Sequence, residues 1–217
     1  MANKMNLVTF HTKDELFSAA NELIIKSLKS DGKILLSGGA TPAPLYRLLS
    51  KSTEHLPGLH WGLVDERFVP FSDPNSNEKM IREALGPEAT ITGMIYNVSD
   101  YESNLEEVNL HYQPFIEHTD ICVLGMGPDG HTASVFPGDP SSELILSDTR
   151  VGIFNTNAPG FPQKRITCSP AMLVKSSLLL LMIFGEEKKN VLMETSRNLP
   201  IHQILSIRPD TFVYYAD

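Results

Sequence analysis

The 217-residue chain reads as an α/β protein, a three-layer α/β/α sandwich built on a mostly parallel sheet. Three observations predict this. Short apolar runs alternate with helical stripes, as strands joined by helical crossovers do. The strands read at 120–124 and 177–184 are apolar at consecutive positions from 121 and 178 on rather than at alternate ones, the pattern of strands covered on both faces. Strands break at glycine turns that lead into helices, and open α/β sheets gather ligands at such carboxyl ends.

Residues 13–30 carry Leu16, Ala20, Leu23, Ile24 and Leu28 on one stripe, and Thr12 with Glu15 makes a capping-box start. A strand at 33–36 breaks at Ser37-Gly38-Gly39 and feeds a helix at Pro42, proline being tolerated at a first helical position. The unit recurs as strand 61–64 before helix 77–85, and as strand 94–97 before helix 102–117. After strand 120–124 comes a glycine-rich turn. Strands at 150–155 and 165–168 flank Asn157-Ala158-Pro159-Gly160-Phe161-Pro162, whose Pro and Gly argue against a helix there. Strand 177–184, helix 186–196, a short helix 201–205 and strand 211–215 close the order.

A hydrophobic fraction of 41% and a charged fraction of 20% are those of an ordinary folded chain, read here as one domain over 1–217 without linker or repeat. The net charge of −8 opposes nucleic-acid and anionic-membrane partners. Met1-Ala2-Asn3-Lys4-Met5-Asn6 lacks the apolar core of a signal peptide, and the longest apolar run, 178–184, is too short to cross a bilayer. A cytoplasmic location is expected. Cys122 and Cys168 lie in apolar strand contexts without ligand spacing, so they read as buried reduced thiols. His11, His55, His60, His111, His118 and His202 form no metal-ligand pattern and read as surface residues. The oligomeric state is not legible.

The chemistry concentrates in Gly125-Met126-Gly127-Pro128-Asp129-Gly130-His131. Its glycines allow a tight fold around a small ligand. His131 is expected near the start of a short helical turn, whose outward N–H groups favour anions and disfavour imidazolium, leaving a neutral base. A structural histidine is the alternative. The Ser37-Gly38-Gly39-Ala40-Thr41 loop offers backbone N–H groups and two hydroxyls to a phosphate, although the glycines could merely turn the chain and Thr41 merely cap a helix. It lacks a P-loop lysine, which favours a small phosphate ester over a nucleoside triphosphate. Arg67, just beyond a strand, suits bidentate capture of phosphate or carboxylate, with a salt bridge to Asp65 or Glu66 as the alternative. Arg165 opens a strand after the Pro/Gly loop. Lys188 lies in a first helical turn, where it opposes the dipole and an anionic partner would explain it, with a solvated surface lysine as the alternative.

Three segments together resemble the 6-phosphogluconolactonase family: Ser37-Gly38-Gly39-Ala40-Thr41-Pro42, Asp65-Glu66-Arg67-Phe68-Val69-Pro70 with Ser76-Asn77, and Gly125 to Ser134 around Asp129-Gly130-His131. The last is the most specific, and the resemblance covers nearly the whole chain. It implies a modified Rossmann-like sandwich shared with glucosamine-6-phosphate deaminase, and no nucleotide cofactor; no GxGxxG follows a strand. It implies hydrolysis of 6-phosphoglucono-δ-lactone to 6-phosphogluconate in the oxidative pentose phosphate pathway. His131 and Asp129 would be catalytic, and Ser37, Gly38, Gly39, Thr41, Asp65, Arg67, Gly130, Arg165 and Lys188 would hold the small phosphosugar lactone. In the expected reaction His131 takes a proton from water as it attacks C1, without a metal and without a Gly-x-Ser-x-Gly elbow. Two alternatives stand beside it. A glucosamine-6-phosphate deaminase/isomerase would use Asp65 to move a substrate proton, but its motif carries a glutamate five residues after the histidine, where this chain has Phe136. A non-catalytic sugar-phosphate sensor attached to a DNA-binding module is opposed by the chain's length and acidity.

Overall fold

Residues 6–217 are described in a computed structural model; the segment 1–5, and most of the signal-peptide reading with it, lies outside them. In chain order the elements are β1 (Asn6–Thr9), α1 (Lys13–Ser27), β2 (Lys33–Leu36), α2 (Ala43–Ser52), β3 (His60–Leu63), β4 (Asp65–Arg67), α3 (Asn77–Leu85) and β5 (Thr90–Thr92). There follow α4 (Tyr101–His111), α5 (Gln113–Glu117), β6 (Ile121–Leu124), α6 (Pro140–Ser147), β7 (Ile153–Asn157), β8 (Lys164–Cys168) and α7 (Pro170–Leu173). The last are β9 (Leu178–Phe184), α8 (Glu186–Met193), α9 (Pro200–Ile207) and β10 (Phe212–Ala216).

Seven strands form one parallel sheet in the order β1-β10-β9-β6-β2-β3-β5. The apolar runs explain its centre: every residue of β6 is buried, as are Ile34, Leu35 and Leu36 of β2 and Leu178 to Ile183 in β9. Truncating one of these, such as Leu36, leaves a cavity expected to cost about 2–5 kcal/mol. From β2 the chain moves outward through β3 to β5, and from β6 it moves the other way through β9 to β10. The boundary between β2 and β6 is therefore a topological switch point, where loops at the carboxyl ends diverge and leave a crevice.

A second sheet, β4-β8-β7, is antiparallel and does not follow from the alternation in the sequence. Val64 still donates its N–H to Leu36 in the large sheet and accepts from Cys168 N. One residue later Asp65 pairs with Thr167, so the chain passes from one sheet to the other between Val64 and Asp65. One core serves both, since Ile153, Ile166 and Cys168 join the cluster built on β2, β6 and β9.

Several expectations are corrected. The strand expected at 94–97 lies earlier, at β5; Tyr96 N and Asn97 N donate instead to the buried Asn104 Oδ1 at 2.7 and 2.9 Å, and Asn104 Nδ2 donates to Met94 O. The helix expected over 102–117 is two helices meeting at Tyr112, just ahead of Pro114, which has no N–H to continue the ladder. Helix α1 stops at Ser27, because Leu28 turns extended. Glu15 accepts from His11 N, one residue outside a strict capping box. The edge strand β1 and the helices α6 and α7 are additional; both helices start on proline after a capping Asp139 or Ser169. Of the histidines read as surface residues, His202 is buried. Both cysteines are buried and free.

Candidate active site

Loops leaving β2, β3, β6 and β9 converge on a cavity of about 350 Å³ at the switch point. Among its walls are Ser37, Gly38, Gly39, Thr41, Asp65, Arg67, His131, Arg165 and Lys188. Of the residues the sequence singled out, Asp129 and Gly130 stand behind this wall and shape it.

The β2 loop is built to present backbone donors. Ser37 is tied down by its N–H to Val123 O and by Tyr46 Oη, which donates to Ser37 O at 2.6 Å. Gly38 lies so close to the Asn77 side chain that a Cβ would fall 1.9 Å from the amide carbon, and Gly39 has φ +94°. Among the described residues, the N–H groups of Gly38, Gly39, Ala40 and Thr41 meet no protein acceptor. Thr41 does not cap α2, whose N-cap is Pro42 without a side-chain bond, so the capping alternative is set aside. These four unpartnered N–H groups lie in the loop that leads into the ten-residue helix α2.

Strands β4 and β8 supply the cations. Glu66 is fully buried and accepts from the N–H groups of Arg67, Asn77 and Glu78 at 2.7–2.8 Å and from Ser76 Oγ, which pins α3 against β4. Arg67 donates through Nη1 to Asn75 O at 2.7 Å, while its buried Nε has no partner. Directly across the antiparallel pair stands Arg165, whose Nε donates to Pro162 O at 2.9 Å. Burial and the neighbouring Arg67 charge hold the Arg165 guanidinium below its ordinary value. Lys188, in the first turn of α8, is half-buried; burial lowers its pKa, with Glu187 and Asp129 pulling the other way. Among the described residues, Arg67, Arg165 and Lys188 have no ion-pair partner, so the salt bridge from Arg67 to Asp65 or Glu66 is absent. Asp65 is engaged elsewhere: its Oδ2 accepts from Ser134 Oγ at 2.6 Å and its carbonyl from Asn77 Nδ2.

The turn after β6 holds the histidine. Gly127 donates to His131 O and accepts from Gly130 N, closing a tight loop. A Cβ on Gly127 would sit 2.1 Å from the imidazole, and Gly130 takes φ +82°, so both positions need glycine. The expected helical turn at His131 is absent: Thr132 and Val135 form a bridge with Ala133 at φ 50°, and the next helix begins only at Pro140. Asp129 orients the ring, with Oδ1 2.5 Å from Nδ1 and 3.2 Å from His131 N. Burial would raise the Asp129 carboxyl, but the hydrogen bonds and charge of His131 outweigh it and hold the group below the usual carboxylate range. With Nδ1–H committed to Asp129, Nε2 is the free acceptor. The ring rests on Phe136, centroids 4.7 Å apart, and the Arg165 guanidinium lies 5.8 Å from the same phenyl centroid.

Asn77, Ser134 and Phe136 also line the cavity, and sequence reasoning gave none of them a site role. Asn77 and Ser134 lie inside quoted motifs, but their contacts depend on tertiary packing. Among the described residues, no group of three His, Cys, Asp or Glu side chains is arranged to hold a metal ion.

Fold and cavity together define an α/β protein with an Asp129-oriented histidine and three cationic side chains around one cavity at the switch point of its parallel sheet. The comparisons with known proteins place it further. Residues 11–213 match the model of the glucosamine-6-phosphate isomerases/6-phosphogluconolactonase family, and the chain belongs to that family. It is 32% identical to the 6-phosphogluconolactonase of Thermotoga maritima over 77% of this chain and 76% of that one. The 6-phosphogluconolactonase of Caulobacter vibrioides is 28% identical over 93% and 92%. The crystal structure of a 6-phosphogluconolactonase from Shewanella baltica superposes over 100% of both chains with a TM-score of 0.91 at 27% identity.

Proposed function

We infer that this chain is an enzyme hydrolysing 6-phosphoglucono-δ-lactone to 6-phosphogluconate, a step of the oxidative pentose phosphate pathway, with His131 as general base. One observation carries the reading: an Asp129-oriented imidazole shares a cavity with three cations that have no acidic partner among the described residues. A phosphate dianion would satisfy that charge, which no ion pair satisfies among the described residues.

With Nδ1–H held by Asp129, Nε2 takes a proton from water as the water oxygen bonds to C1. The carbonyl oxygen becomes an oxyanion, stabilised by N–H groups of the glycine-rich turns or by a nearby cation. The C1 to ring-oxygen bond then breaks, and the proton on His131 passes to the departing oxygen. The acid formed releases a proton to solvent. Positioned general-base catalysis contributes about 10²–10⁴-fold, which suits a lactone that already reacts with water. Ser37, Gly38, Gly39 and Thr41 with Arg67, Arg165 and Lys188 hold the phosphosugar, Gly130 sets the turn, and Asp65, braced by Ser134, faces sugar hydroxyls.

The deaminase/isomerase reading is disfavoured by Phe136, whose ring packs on the imidazole and cannot accept a hydrogen bond from it. Residues 1–217 are taken as one domain, supported by the core shared between the two sheets. A cytoplasmic location fits the reduced cysteines; no helix of the described residues is long and apolar enough to cross a membrane. The test is to supply the purified protein with fresh 6-phosphogluconolactone and, separately, glucosamine 6-phosphate, following acid and ammonia release. Acid from the lactone without ammonia from the amino sugar is expected. Ammonia release would establish the deaminase, and phosphosugar binding without turnover the sensor.

A further inference from the structure

We propose that His202, outside the cavity, is a positioning residue that locks the catalytic turn and the lysine-bearing helix α8 into one unit. The proposal rests on the lactonase reading for its kinetic consequences, but its geometry stands apart from it.

His202 is buried at the third position of α9. Its Nδ1 accepts from Leu199 N at 3.1 Å, so the ring is the Nε2–H tautomer, and Nε2 lies 3.1 Å from both Val191 O and Leu192 O at the end of α8. One imidazole thus satisfies the Leu199 N–H at the start of α9 and reaches two carbonyls at the end of α8, of which Val191 O also accepts from Glu194 N. A glutamate or glutamine at this position would make only the return bond to the N-cap N–H, as the N3 residue of a capping box does; histidine adds the second link.

Each end of the link reaches the site. Val191 and Leu192 are one helical turn beyond Lys188 in α8, so the carbonyls that His202 holds belong to the helix carrying that cation. On the other side, Ile201 N donates to Gly130 O at 3.2 Å. The Leu199 side chain packs on Gly130 so closely that a Cβ there would lie 2.5 Å from Leu199 Cδ1. Gly130 is the positive-φ residue immediately before His131. The path from His202 to the base therefore runs through two hydrogen bonds and one close packing contact, with no loose segment in between. Residues 194–198 between the helices are exposed, whereas Leu199, Pro200 and Ile201 are buried, so the clamp and that packing together hold the start of α9.

In the full-length protein, His202→Ala is expected to lower kcat for the lactone about tenfold or more through displacement of His131, and to raise KM severalfold through Lys188. The Gly130 and His131 backbone amide resonances shift, and the Ile201 amide exchanges faster. His202→Gln restores the Leu199 N–H bond and returns kcat to within about threefold of the starting protein. Where the alanine variant does not fold, His202→Phe fills the space without either hydrogen bond and carries the same test. Unchanged kcat and KM with unshifted Gly130 and His131 amides in His202→Ala or His202→Phe would overturn the proposal. So would a glutamine variant as impaired as the alanine one. The amide measurements need no turnover, so they still decide the clamp if the lactonase reading itself fails.

Discussion

Arg67 and Arg165 face each other in register across the antiparallel pair of β4 and β8. Like charges directly opposite destabilise a strand pair, and the burial of Arg165 adds to the cost. An anion between or beside them would reverse the sign of that interaction, and on this ground we propose that the pair seats a dianion.

Replacing Arg165 with alanine should raise KM for the phosphorylated lactone by about 10–100-fold, as expected for a charge-assisted hydrogen bond worth about 1.5–3 kcal/mol. Turnover of unphosphorylated gluconolactone should hardly change. Without phosphate the thermal midpoint should stay level or rise. Equal loss on both lactones would remove Arg165 from the anion seat.

The 2.5 Å contact between Asp129 and the His131 ring predicts the outcome of Asp129→Asn. The amide no longer holds Nδ1–H by charge, and the ring is free to present the wrong tautomer. Steady-state kinetics should show kcat reduced about 10²-fold or more with KM little altered. A fall confined to KM would make Asp129 a substrate contact instead.

At Gly38 the prediction is steric. A methyl group would overlap the Asn77 amide at 1.9 Å, so Gly38→Ala should destabilise the fold in urea by about 1–3 kcal/mol and weaken phosphate binding. The double variant Gly38→Ala/Asn77→Gly should recover part of the stability. Additive losses would mean that the two positions do not touch.

Lys188 predicts a pH dependence. Burial sets its folded pKa below the ordinary lysine value, so the folded protein gives up this proton before the unfolded chain does. Between the two values the unfolded state binds more protons, and the stability due to this group rises with pH. Anion binding runs the opposite way, because deprotonation removes a cation. Calorimetry should show the Kd of 6-phosphogluconate rising as pH climbs toward the lysine range, with Lys188→Arg flat over the same interval; parallel curves would place the lysine outside the anion seat.

The centre of the large sheet and the carboxyl-end loops were legible because consecutive apolar residues and glycine breaks are local signals, as at Cys122-Val123-Leu124 before Gly125, whereas the edge strands β1 and β5 were missed or displaced. The small sheet was not. Passing the chain from β3 to β4 depends on Cys168 reaching Val64, a contact a hundred residues apart in sequence that no periodicity records. His131 lies in the glycine turn, as the motif predicts, but a carboxylate two residues away contacts its ring and no helix of its own segment starts there. Asn104 and His202 escaped notice because a buried polar side chain satisfying distant backbone looks, in sequence, like an exposed one.

Proton release from freshly prepared 6-phosphogluconolactone, followed with the unaltered protein and with His131→Ala at equal folded concentration, decides whether this imidazole is the base. The alanine variant should lose about 10²–10⁴-fold in kcat while binding 6-phosphogluconate as before. Full lactone turnover by His131→Ala would contradict it.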